Sequence, residues 1–164
     1  MATRTTRTIR FSKAIVEWLR SNAALVAFAN HTNTEPRIVL NTIDVELDEQ
    51  DATANQEAVP CVQVTCTHLG ANIPQIDGGP FRTMVQVDCY SSDDLATATA
   101  MDSVYLQAEP VNGVDVKITT NSIRTTVIEA YAPLRTQASA GDGDSGVFVS
   151  TAVLLITWYD TATD

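Results

Sequence analysis

The chain is short of the residues that usually carry chemistry. It has two histidines, His31 and His68, and three cysteines, Cys61, Cys66 and Cys89. No Cys-His pair stands at metal-ligand spacing and no Cys-x-x-Cys occurs, so neither a zinc site nor a redox dithiol has a motif to rest on. An odd cysteine count inside strand-like patterns predicts reduced core residues in a cytosol-made protein. Cys61 and Cys66 also have opposite parity on one strand, which puts them on opposite faces. The longest apolar run, Ala152 to Ile156, is far short of the roughly 18 residues that span a bilayer, so no membrane association is expected. The N-terminal arginines have no apolar segment behind them, and no secretion signal is expected. No P-loop or nucleophile elbow is present. Gly141-Asp142-Gly143-Asp144-Ser145-Gly146 matches the dinucleotide pattern of glycines, but a strand follows it where a helix is required, and its two aspartates would repel phosphate. The same loop offers oxygens to calcium yet lacks the later bidentate glutamate. No carboxylate is marked by an apolar neighbourhood that would raise its pKa. These absences lead to the expectation that the protein is not an enzyme and takes no cofactor or metal.

Positive charge is also scarce, and it is concentrated at one end. The net charge is −10, but Arg4, Arg7, Arg10, Lys13 and Arg20 against Glu17 make residues 1–20 a +4 segment, leaving −14 for residues 21–164. Gripping nucleic acid needs clustered Lys and Arg, so the acidic body disfavours that role. It is compatible with a surface that DNA slides past without sticking.

What is present is the pattern of a folded domain. Its 164 residues, 45% of them apolar, suffice for one domain with a core. The most informative stretch runs from Phe81 to Pro110. Val85, Val87 and Cys89 alternate with Gln86 and Asp88, which is a strand with one apolar face. Ser92-Asp93-Asp94 then suits a helix start. Leu95, Ala98, Met101, Val104, Tyr105 and Ala108 mark one side of the helix, and Pro110 ends it. Residues 1–11 are polar and rich in Thr and Arg, predicting a flexible arm that solubilises the chain or orders on a neighbouring subunit. A single domain then spans 12–164. Residues 12–29 read as helix, with Ser21-Asn22 a candidate break. Asn41 to Glu57 hold Asp44, Glu46, Asp48, Glu49, Asp51 and Glu57 and no basic residue; the alternation of Ile43, Val45 and Leu47 suggests a projecting β-arm, a solvated loop being the plainer reading. Pro60 to Thr67 form a strand, and His68 to Pro80 a loop. Asn112-Gly113 and Asn121-Ser122 are turn signals around a hairpin of Val114–Ile118 with Ile123–Ala132. Pro133 to Gly146 read as a mobile loop. Val147 to Tyr159 form a long strand, apolar on both faces in its second half, hence central in its sheet or in contact with another chain. The predicted fold class is α+β: one twisted, mainly antiparallel or mixed β-sheet with two helices packed on one face, plus the projecting arm and loop.

The arrangement of these segments resembles the tail-terminator and related neck proteins of long-tailed bacteriophages. The resemblance rests on the helix AIVEWLRSNAALVAF (Ala14 to Phe28), the strand RIVL (Arg37 to Leu40), Pro60-Cys61-Val62-Gln63-Val64, and Val85-Gln86-Val87-Asp88-Cys89-Tyr90 running into the helix Asp93 to Gln107. It covers Ser12 to Tyr159. It implies a structural virion protein, assembled in the host cytoplasm, that forms a homo-hexameric ring. The ring would cap the tail tube protein and join it to the head-side connector, with DNA passing through the lumen. A head-completion or adaptor ring is the close alternative, and a small cellular α+β binding domain the more distant one. On that reading Asp44, Glu46, Asp48, Glu49 and Asp51 would line the lumen. Arg4, Arg7, Arg10, Leu154, Ile156 and Trp158 would form the subunit or tube interface.

Overall fold

The structure, a computed structural model, describes residues 4–30, 36–40, 60–69, 79–131, 134–138 and 147–162; for 4–6 and 134–138 it describes the backbone alone. Within these residues the chain forms three helices and six strands. They are α1 (Arg4–Arg20), α2 (Ala23–Ala29), β1 (Ile38–Leu40), β2 (Cys61–Leu69), β3 (Phe81–Ser91), α3 (Asp94–Ala108), β4 (Ile123–Ala130), β5 (Leu134–Ala138) and β6 (Val147–Asp160). The strands make one mixed sheet in the order β1-β2-β3-β6-β4, with β5 also beside β6. β1 runs parallel to β2, and every other pairing is antiparallel. The helices pack on one face, so the α+β expectation holds.

The long final strand is the axis of the sheet. β3 pairs with it from Phe81↔Trp158 to Ser91↔Phe148, while β4 and β5 divide its other side, from Ile123↔Asp160 to Ala130↔Leu154 and from Leu134↔Thr151 to Ala138↔Val147. Being flanked on both sides accounts for its apolar character. Of the two readings offered by the sequence, the central strand is the one realised. Period-two alternation then sorts the sheet. Val62, Val64, Val85, Val87, Cys89, Ala152, Leu154, Ile156 and Trp158 are all buried on the helix side. Gln63, Thr65, Gln86, Asp88 and Thr151 lie on the other side, in register with one another.

The helices depart from the sequence reading in two respects and follow it in a third. First, α1 begins at Arg4. The predicted flexible arm over 1–11 is therefore replaced, from Arg4 onward, by the first turns of a helix. Thr has a poor helical propensity, though Arg a good one, and tertiary contact supplies the difference. Phe11 stacks on Trp158 with ring centroids 4.6 Å apart, and Arg7 and Arg10 reach Asp160 at the end of β6. Second, Ser21-Asn22 does break the helix. The Asn22 Oδ1 accepts from the backbone N–H groups of Ala24 and Leu25, capping α2. Third, the cap of α3 is Asp93, whose Oδ1 accepts from Ala96 N–H, while Ser91 Oγ accepts from Asp93 N–H. At its far end Glu109 is extended ahead of Pro110.

Further corrections concern the second half. Residues 115–120 do not form a strand, so the predicted hairpin with Ile123–Ala132 is absent. What remains of it is local: Thr125 N–H donates to the Ile118 carbonyl, and Ile118 N–H to Thr125 Oγ1. Both turn signals hold, with left-handed backbone at Asn112 (φ 54) and Gly113 (φ 75), and at Asn121 (φ 52) and Ser122 (φ 60). The segment read as a mobile loop contains β5; residues 139–146 lie outside the described residues. His68, read as a loop residue, is in β2.

Candidate assembly surfaces

The five predicted lumen carboxylates, Asp44, Glu46, Asp48, Glu49 and Asp51, lie outside the described residues, as do His31 and the glycine-aspartate loop. The predicted interface residues divide. Arg4 is helical, with its side chain outside the description. Leu154, Ile156 and Trp158 are fully buried in the chain's own core, at most 1% exposed. Their assignment to a subunit or tube interface is corrected: α1 and α3 already cover that face, and a side chain so enclosed has no surface to offer a partner.

Trp158 instead anchors an internal cluster. Its ring packs between Phe11 (4.6 Å) and Phe81 (4.7 Å), and His68 meets Phe11 edge-on at 5.8 Å. The indole Nε1–H donates to Thr83 Oγ1 at 2.9 Å, and the same hydroxyl lies 2.7 Å from His68 Nδ1. Beside this cluster Arg7 Nε stands 3.5 Å and Arg10 Nη2 3.1 Å from Asp160 Oδ2. The Asp160 side chain is 3% exposed. The Arg7 guanidinium also sits over the Phe81 ring at 5.9 Å. The basic start of the chain is thus partly neutralised within the subunit. Arg7 and Arg10, predicted to meet a neighbour, clasp α1 to the end of the central strand.

On the sheet face opposite the helices, Asp88 is buried in mid-sheet. It accepts from Gln86 Nε2 (3.1 and 2.9 Å) and from Thr151 Oγ1 (2.5 Å). Tyr90's own burial first, and then the Asp88 charge beside it, push its phenol up to about 12. Arg82 and Glu129 approach to 3.8 Å across β6 on this face, both half exposed, an ion pair of small worth.

The outer faces of the helices are the exposed surfaces with most character. Ile9, Lys13 and Arg20 stand at helical spacings on the side of α1 away from Phe11, Ile15 and Leu19, and all three are exposed. On α3 the core side is Thr97, Ala100, Met101, Val104 and Ala108. Leu95, expected in the core, is 75% exposed, and Leu106, three turns on, is 67% exposed. Asp102 and Glu109 accompany them in solvent. The sequence signal for Leu95 was weak because the first turns of α3 alternate Ala and Thr, so a stripe drawn at spacings of three drifts from the true face. The clasp at Asp160 had no sequence signal, since it joins the two ends of the chain.

The described residues hold no group of three or more His, Cys, Asp or Glu that could bind a metal. Burial pushes the Cys61 and Cys66 thiols up to about 11, and that of Cys89 higher still, away from the thiolate a nucleophile needs. No protein-family model matches the chain, and no curated protein matches it.

Proposed function

We propose that this chain is the structural subunit of a ring at the head–tail neck of a long-tailed phage, a tail terminator that caps the tail tube and joins it to the head connector. The observation that carries the reading is the β3–α3 unit. An eleven-residue strand turns within two residues into a fifteen-residue helix that packs back over its own sheet, with α1 and α2 ahead of it and β6 closing the sheet at its centre. That is the order of elements the resemblance calls for. The exposed leucines of α3 add support, because apolar side chains held in solvent on a rigid helix suit contact between subunits. In this reading the acidic body lets DNA pass through the lumen without binding.

The test is imaging and light scattering of the purified protein, alone and with tail tubes. Hexameric rings, or hexamers seated at one end of a tube, are the expected result. A monomer at every concentration that never attaches to a tube would overturn the reading. A ring that seats on the head connector and not on the tube would identify the head-side adaptor instead.

A further inference from the structure

We draw no further inference here: the strongest candidate, the exposed pair Leu95 and Leu106 on the outer face of α3, is an unpartnered surface, and nothing in the structure shows what covers it.

Discussion

At Asp160 a buried carboxylate holds two arginines from the other end of the chain. Asp160→Asn would leave Arg7 and Arg10, each about one-fifth exposed, without their counter-charge. A loss of about 3 kcal/mol is expected in urea unfolding, at the low end of the range for breaking such a pair because the guanidinium groups keep some solvent. An Asn variant as stable as the wild type would mean the clasp contributes nothing. Thr83 is a second such point. Thr83→Val keeps the shape but leaves the Trp158 indole N–H without its acceptor at a site where the tryptophan is 1% exposed. The expected loss is about 1–3 kcal/mol, with a shift in Trp fluorescence. Thr83→Ser, which keeps the hydroxyl, should recover most of it.

The helices are held together by a polar junction. Asn22 caps α2 with its carbonyl oxygen, and its amide donates to the Ser103 carbonyl (2.9 Å) and Gln107 Oε1 (3.1 Å); Gln107 Nε2 in turn donates to the Trp18 carbonyl (2.6 Å). The Asn22 side chain therefore starts α2 and ties it to α3, while Gln107 ties the end of α1 to the same helix. Asn22→Ala should cost about 2 kcal/mol, the upper part of the range for a cap, because the bonds to α3 go with it. Asn22→Asp keeps the cap and loses the amide donors, so it should fall between the two in chemical denaturation. Glu17 adds a pH-dependent tie from α1 to the turn at Thr120 and Asn121. Hydrogen bonds from Asn121 and then Thr120 hold its pKa below the ordinary 4.5. A folded pKa below the unfolded one stabilises above the unfolded value and is lost as pH falls through the folded one. Glu17→Gln should therefore flatten the decline of stability below about pH 4.5.

For the molecule as a whole, the sheet behaves as one body built around β6. Three thiols sit in it, and burial raises the pKa of Cys61 and Cys66 from 9.0 to about 11. A raised folded pKa means stability that is complete below the unfolded value and lost as pH rises through the folded one. Unfolding at alkaline pH should begin between 9 and 11, and Cys61→Ala with Cys66→Ala should reduce that slope even if it lowers stability at neutral pH. At pH near 8, thiol reagents should label the protein only once denaturant opens it. Rapid labelling in native buffer would show that these cysteines are reached without unfolding.

Much of this architecture is local and could be read directly. Alternation marks β2, β3 and β6 because a strand sends successive side chains to opposite faces. Asn22, the Asp93 region, Pro110 and the Asn-Gly and Asn-Ser turns act within a few residues of themselves, so their chemistry is legible one segment at a time. What the string of residues left open depends on what each segment meets. Residues 4–11 read as part of an arm in the sequence and are helix because Phe11, Arg7 and Arg10 find Trp158 and Asp160 at the far end of the chain. Leu154, Ile156 and Trp158 look the same in sequence whether a partner or the chain's own helices cover them, and packing chose the helices. On α3 the composition is too even to show which side faces inward; the fold turned Leu95 and Leu106 outward, because Thr97, Ala100, Met101, Val104 and Ala108 fit against the sheet and the other helices.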